Sequence, residues 1–145
     1  MTTIFYGVAG EGLGHASRTL AVVDSIPDIE VHLFTFGKAY DFLQKMGYPH
    51  LHIINGLMFD YKNCKVDYPR LACRAGAYFC NDVKKNIEYI AKQNELLQPS
   101  LFISDFEPSV ARAANMCGQK LISVDNQHRF AYTDLIELPL FLRLY

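Results

Sequence analysis

The residues best suited to chemistry lie in one short stretch near the amino terminus. Three glycines, a histidine and an arginine share the sequence Gly10-Glu11-Gly12-Leu13-Gly14-His15-Ala16-Ser17-Arg18. Glycine adopts backbone angles closed to other residues and lets a ligand approach the main chain. Histidine titrates near neutral pH, so it can take up or release a proton during a reaction. The stretch predicts a site for an anionic ligand such as phosphate, with His15 beside it.

The elements around this stretch are a predicted strand and a predicted helix. An apolar run at 4–9 precedes it, and apolar residues at 20, 22, 23 and 26 follow with the period of one helix face. His15 falls where the turn becomes helix. The helix start offers unpaired N–H groups and the positive end of its dipole, which favour an anion. A purely architectural glycine turn is the alternative, because tight strand-to-helix turns need glycine anyway.

The composition is that of a globular protein without a basic surface. The chain has 145 residues, of which 50% are hydrophobic and 20% charged, and its net charge is -1. This length is enough for one domain with a core. A nucleic-acid-binding protein would show a basic excess, so no nucleic-acid partner is expected. The sequence shows neither a signal peptide nor an apolar run long enough to span a bilayer, which predicts a cytoplasmic protein.

No metal site is expected from the spacing of the cysteines and histidines. The cysteines are Cys64, Cys73, Cys80 and Cys117. They form no Cys-x-x-Cys pair, and no histidine pair completes a zinc site. Free thiols are therefore expected. His32 and His52 fall within predicted strands, where a structural role is favoured over a ligand role.

Strands and helices alternate along the rest of the chain. Further strands are predicted at 30–36, 51–54, 101–104 and 121–124. Helices are predicted at 38–46, 71–97 (as one helix or two), 109–117 and 135–145, and a long connection at 55–70. This alternation predicts a single α/β domain, residues 1–145, with a parallel sheet flanked by helices.

Three polar clusters follow the carboxyl ends of predicted strands, at 10–18, 104–107 and 125–128. Ligands bind at this edge of open α/β sheets. The candidates outside the glycine stretch are Asp105, Glu107, Asp125, Asn126, Gln127 and His128. Their shared location is stronger evidence for a site than any single cluster.

Two common nucleotide sites do not fit the glycine stretch. A nicotinamide dinucleotide site prefers a third glycine where His15 stands and an acid after the second strand. That strand ends Thr35-Phe36-Gly37-Lys38, without an acid. A P-loop is also absent from the sequence.

The motifs resemble those of GT-B glycosyltransferases. Residues 7–18 (GVAGEGLGHASR) look like the opening of their N-terminal domain, closest to the branch that includes the N-acetylglucosaminyltransferase making the lipid-linked peptidoglycan precursor. Segments 104–108 (SDFEP) and 124–128 (VDNQH) resemble later loops of that domain. The resemblance implies a Rossmann-like acceptor domain, the N-terminal half of a GT-B fold. It also implies a separate nucleotide-sugar domain beyond residue 145, so this chain alone is expected to be inactive.

The resemblance also implies a reaction and roles for the candidate residues. The reaction is inverting, metal-independent transfer of a sugar from a nucleotide sugar, expected to be UDP-linked, to an acceptor hydroxyl, with no other cofactor. His15 matches the catalytic histidine, Asp105 would orient it, and Glu107 competes for either role. Donor phosphate and acceptor would be bound by Gly10, Glu11, Gly12, Gly14, Ser17, Arg18, Asp125, Asn126, Gln127 and His128. A sugar or lipid-linked acceptor and peripheral membrane contact are expected.

Alternatives remain open for the function and for single residues. A nucleotide-sugar epimerase shares the fold, and a non-catalytic ligand-binding module needs no chemistry at all. His15 could cap its helix, and Asp105 could be the N-cap of the helix that follows it. Arg18 is expected to pair with an acid on its own helix rather than with a phosphate.

Overall fold

The computed structural model describes residues 2–59, 61–62 and 65–124. Its strands are β1 (Thr2–Val8), β2 (Ile29–Thr35), β3 (Leu51–Ile53), β4 (Tyr61–Lys62), β5 (Lys65–Val66), β6 (Leu101–Asp105) and β7 (Leu121–Ser123). Its helices are α1 (Leu13–Asp24), α2 (Gly37–Lys45), α3 (Tyr68–Ala77), α4 (Val83–Leu97) and α5 (Pro108–Met116). A π-helical turn, Tyr78–Asp82, joins α3 to α4. The helix predicted at 135–145 lies outside the described residues.

Within these residues, five parallel strands form one sheet in the order β3-β2-β1-β6-β7. The central strand β1 pairs with β2 on one side and with β6 on the other. The chain first builds outward from β1 to β3 and then crosses to β6 and β7 on the opposite side. The direction of winding therefore reverses between β1 and β6, which is where open α/β sheets bind ligands. The predicted α/β fold with a parallel sheet is confirmed.

Helices cover both faces of the sheet. Ile4, Tyr6 and Val8 of β1 join a buried cluster with residues of α1 and α2. Phe5 points the other way, into a cluster with Ile90 of α4 and residues of α5. A strand buried on both faces reads as a continuous apolar run rather than an alternating one. Burial of β1 on both faces therefore explains the continuous apolar run at 4–9.

Helix α1 begins earlier than the apolar period indicates. Its first residue is Leu13, and Gly12 is the N-cap in an extended conformation. Leu13 and Gly14 are exposed, so the period of the buried face does not extend into the first turn. His15 and Arg18 consequently lie on the same helix, three residues apart, where side chains meet.

The region between β3 and β6 contains more regular structure than predicted. β4 and β5 form a small antiparallel pair inside the predicted connection. Asp67 caps α3 by accepting a hydrogen bond from the Arg70 N–H at 3.3 Å, and a proline follows in the first turn. The predicted helix at 71–97 is two helices joined by the π turn. The remaining boundaries lie within two residues of the predicted ones.

Tyr48 ties the loop after α2 to the sheet, and this contact should make stability depend on pH. Its hydroxyl donates to the Val31 carbonyl at 2.7 Å. Burial raises the pKa of Tyr48 from 10.0 to about 12. Because the folded pKa exceeds the unfolded one, this contribution is complete below pH 10 and is lost as the pH rises towards 12, with a slope below about 1.4 kcal/mol per pH unit.

We expect Tyr48→Phe to lose less of its free energy of unfolding across that interval than the wild type. Urea unfolding below pH 10 and near pH 12 measures the difference. At neutral pH the variant should be less stable by about 1 kcal/mol, since the hydrogen bond to Val31 is gone. Parallel stability curves for the two proteins would contradict the prediction.

Candidate active site

Two connections meet at the reversal point of the sheet. One is the glycine stretch after β1, and the other follows β6. Val8 pairs with Asp105 in the strand register, and the Ala9 N–H donates to the Asp105 carbonyl at 3.0 Å. The sheet therefore holds the first two predicted polar clusters side by side.

Asp105 is the centre of this site. Its side chain is fully buried and carries three charge-assisted contacts. His15 Nδ1 lies 2.7 Å from Oδ1. Arg18 donates from Nε to Oδ2 at 2.9 Å and from a terminal nitrogen to Oδ1 at 2.5 Å. Strand β6 thus supplies a carboxylate that fixes two side chains of α1.

The contact with Asp105 sets the tautomer of His15. A buried carboxylate can only accept, so the proton of a neutral His15 ring belongs on Nδ1. The Arg18 nitrogen 3.2 Å from Nδ1 is itself a donor and is held by Asp105. Nε2 then carries the lone pair and has no hydrogen-bond partner among the described residues. About a third of the His15 side chain is exposed.

Arg18 pairs with Asp105 and not with an acid of its own helix, so the predicted partner was wrong. Hydrogen bonding to Asp105 raises the pKa of Arg18 further. The side chain keeps 45% of its surface exposed beside the start of α1. A fixed, exposed guanidinium at a helix N-terminus favours an anion at this place.

Glu107 is the N-cap of α5, the role that the sequence left open for Asp105. One carboxylate oxygen accepts from the Ser109 N–H at 3.0 Å and the other from the Val110 N–H at 2.6 Å. The side chain is buried, and this burial raises the pKa of Glu107. Both oxygens of Glu107 face the helix start. Both acids were candidates for the partner of His15. Of the two, Asp105 contacts His15 in the structure, and Glu107 does not.

Phe106, between the two acids, is a site residue that sequence reasoning missed. Its φ is 58°, the left-handed region that a bulky residue rarely adopts. The ring stacks near His15, with centroids 6.2 Å apart and planes 21° apart, and it stays 46% exposed. Nothing in the sequence indicates this conformation, since glycine or asparagine is the usual residue there. The ring forms an apolar wall beside His15.

The three glycines of the first cluster differ in their surroundings. None of Gly10, Gly12 and Gly14 adopts a left-handed φ, so the expectation of unusual backbone angles was wrong. A Cβ at Gly10 would lie 2.3 Å from the Phe36 carbonyl oxygen, so this glycine allows close packing against the start of α2. A Cβ at Gly12 or Gly14 would meet nothing within 4 Å. These two leave open space in front of α1.

The other predicted residues of the cluster lie around this opening. The Glu11 carboxylate accepts a hydrogen bond from the Phe59 N–H and so anchors the loop after β3. Ser17 is exposed on α1. The third predicted cluster, Asp125, Asn126, Gln127 and His128, lies outside the described residues. Its part in the site stays a prediction.

Comparison with known proteins agrees with this arrangement. A sequence profile described as Glycosyl transferase family 1 matches residues 2–142. The chain belongs to this family. No curated protein matches the sequence.

Among solved structures, MurG from Acinetobacter baumannii is similar to this member of glycosyl transferase family 1. The TM-score is 0.55 at 14% sequence identity, and the match covers 85% of this chain and 34% of the MurG chain. The chain thus spans about one third of that protein's length. At this identity the likeness establishes the fold, and it confirms the predicted N-terminal domain of a GT-B architecture. No helix in the described part of the chain has the length and hydropathy to cross a membrane.

Two alanine variants of this family member should separate packing from ligand access. Gly10→Ala forces Cβ against the Phe36 backbone and should cost about 1–3 kcal/mol of stability. Gly12→Ala meets no atom, so its stability cost should stay below about 1 kcal/mol, the scale of a changed N-cap. If the donor phosphate lies against Gly12, its KM should rise about tenfold, equivalent to about 1.4 kcal/mol of binding.

Thermal unfolding of both variants, and transferase kinetics of the complete protein that carries each substitution, make the comparison. Equal stability losses would show that the open space at Gly12 is absent in solution. An unchanged KM for the donor in Gly12→Ala would place the phosphate elsewhere.

Proposed function

We propose that this chain is the acceptor domain of an inverting, metal-independent glycosyltransferase that uses a nucleotide sugar. The observation that carries the proposal is the contact between His15 and buried Asp105 at the sheet's reversal point. This pair leaves a basic nitrogen, Nε2, directed away from its carboxylate partner. A domain outside this chain would hold most of the nucleotide sugar.

In the proposed reaction His15 is the general base. Nε2 removes the proton of the acceptor hydroxyl while that oxygen attacks the anomeric carbon. The bond between the anomeric carbon and the leaving diphosphate oxygen breaks in the same step. Asp105 stabilises the imidazolium that forms and keeps the ring oriented.

The leaving diphosphate would be stabilised by α1 and Arg18. The N-cap Gly12 has no side chain to cap the N–H groups of the first turn, and no atom lies within 4 Å of the position that a Cβ would take there. These groups and the exposed part of the guanidinium are donors for an anion. Charge developing on the leaving group would therefore meet positive potential.

The contacts of Asp105 support the inverting part of the proposal. A retaining mechanism by double displacement needs a free carboxylate as the nucleophile. Asp105 is buried and already accepts from His15 and Arg18. A single displacement with one base fits the residues in contact here.

The test is an assay of the complete protein that contains this chain. A panel of nucleotide sugars, UDP-linked donors first, is incubated with sugar and lipid-linked acceptors, and nucleoside diphosphate and glycosylated product are measured. Acceptor-dependent release with inverted anomeric configuration is the expected result. A donor sugar recovered with a changed stereocentre would indicate an epimerase. Tight ligand binding without any product would indicate a binding module.

A further inference from the structure

A second group of polar side chains lies at the amino-terminal part of β2, away from the edge that holds His15. Glu30 and His32 are two residues apart on β2 and share a face of the sheet. His50 precedes β3, and its carbonyl accepts from the Leu33 N–H at 2.8 Å. The backbone therefore fixes His50 beside the strand that carries the other two residues.

We infer that Glu30, His32 and His50 form a binding site for a divalent transition-metal ion, with zinc as the best match. One ligand atom from each of the three lies within 4.8 Å of the others. Two imidazoles and one carboxylate are a donor set that zinc accepts, with bonds of about 2.0–2.2 Å. Tetrahedral bonds of that length place donor atoms roughly 3.3 Å apart, which compares with the 4.8 Å limit on their separations in this structure.

The contacts among Glu30, His32 and His50 already resemble those of a metal site. His32 Nε2 lies 2.7 Å from Glu30 Oε1, and the rings of His32 and His50 are 4.7 Å apart between centroids. The ion would take the place of the proton between His32 Nε2 and Glu30. His32 is almost fully buried, whereas Glu30 and His50 are partly exposed. Solvent can therefore deliver the ion and fill its remaining coordination position.

A chain of hydrogen bonds behind His32 supplies the outer shell. His32 Nδ1 lies 2.9 Å from His52 Nε2, and His52 Nδ1 lies 2.8 Å from the Tyr89 hydroxyl. Without the ion, each ring donates through Nε2 and accepts at Nδ1. With the ion on His32 Nε2, each ring moves its proton to Nδ1 and stays neutral. Metal-bound histidines usually donate their second N–H to such a partner.

The ion would join β2 to the edge of the sheet. Strand β3 has three residues and, in the part of the chain that the structure describes, pairs with β2 alone. Ligands from both sides of that pairing would resist its separation. Zinc is therefore expected to raise the thermal midpoint of the protein, because it binds the folded state preferentially.

The test titrates Zn²⁺ into the purified, metal-free protein by calorimetry. We expect one equivalent to bind, and His50→Ala to weaken the affinity at least about a hundredfold, more than the loss of an outer-shell partner would cause. Glu30→Gln should also weaken the zinc affinity. In the metal-free variant the amide oxygen can still accept a hydrogen bond from His32, so the fold should be kept. His15→Ala is the matched control, because it removes a histidine of the other cluster and should bind zinc like the wild type.

Thermal unfolding with Zn²⁺ and the absorption spectrum with Co²⁺ test the site without His50→Ala, in case that variant folds poorly. Zn²⁺ should raise the wild-type thermal midpoint, and EDTA should reverse the rise. Co²⁺ should give the strong visible absorption of a four-coordinate ion in the wild type and a weaker one in Glu30→Gln. Absence of stoichiometric Zn²⁺ binding by the wild type, or equal affinity in wild type, Glu30→Gln and His50→Ala, would overturn the inference.

Discussion

Replacing His15 by glutamine is expected to lower kcat of the complete glycosyltransferase at least about a hundredfold, the scale of losing a general base. The glutamine amide can still donate to Asp105, but it cannot take a proton from the acceptor. Because the hydrogen bond to Asp105 is kept and His15 is only partly buried, the thermal midpoint should change little. Acceptor-dependent release of nucleoside diphosphate measures the rate.

The control for this variant is His50→Ala, assayed without added metal. It removes a histidine at the opposite part of the sheet and should keep the wild-type kcat. His15→Ala tests the same role and also removes the contact with Asp105. A folded His15→Gln protein with the wild-type rate would exclude His15 as the base.

Changing Asp105 to asparagine should have the second large effect. The carboxylate now accepts from His15 Nδ1 and from two Arg18 nitrogens. An amide has one oxygen and one donor group, so its nitrogen meets an Arg18 donor in either orientation, and in the Oδ1 position it also meets the Nδ1 proton of His15. An amide nitrogen turned towards His15 would favour the tautomer with the proton on Nε2, and Nε2 could then no longer act as a base. We expect kcat to fall at least about a hundredfold.

Stability should fall as well, by about 1.5–3 kcal/mol, because hydrogen bonds to a charged group are lost. Urea unfolding measures this part separately from the rate. The pH dependence of kcat in Asp105→Asn should also differ from that of the wild type, since Asp105 acts through the imidazole.

Glu107→Gln is the matched control, since it alters a buried carboxylate two residues away. It weakens the cap of α5, so we expect a stability loss of about 1 kcal/mol. The folded enzyme should keep its kcat. A large drop in kcat for Glu107→Gln with a small drop for Asp105→Asn would exchange the roles of the two acids.

The arrangement of the sheet could be predicted from the sequence because it depends on patterns that repeat along the chain. Buried parallel strands such as β1 and β2 read as short apolar runs, and each is followed by a break. The same reasoning placed His15 and Asp105 at one edge, since the carboxyl ends of parallel strands lie together. The contact between their side chains follows from the pairing of Val8 with Asp105.

Other parts of the site depend on contacts between residues distant in sequence, for which the sequence carries no signal. Gly10 is required by the Phe36 carbonyl, which lies in the next unit of the fold. The cap role went to Glu107 instead of Asp105, because the helix begins at Pro108 and Asp105 still belongs to β6. The spacing of His50 and His32 in the sequence does not indicate their proximity, because it results from the pairing of β2 with β3.

Phe106 combines a costly backbone conformation with a ring placed beside His15. A left-handed conformation costs a residue with a Cβ roughly 1–2 kcal/mol relative to glycine. An engineer who screens this domain for heat resistance alone would therefore select glycine at 106. That choice would relax the loop but would remove the ring that stands beside His15. Selection for thermal tolerance should therefore leave this residue fixed and look for gains elsewhere in the fold.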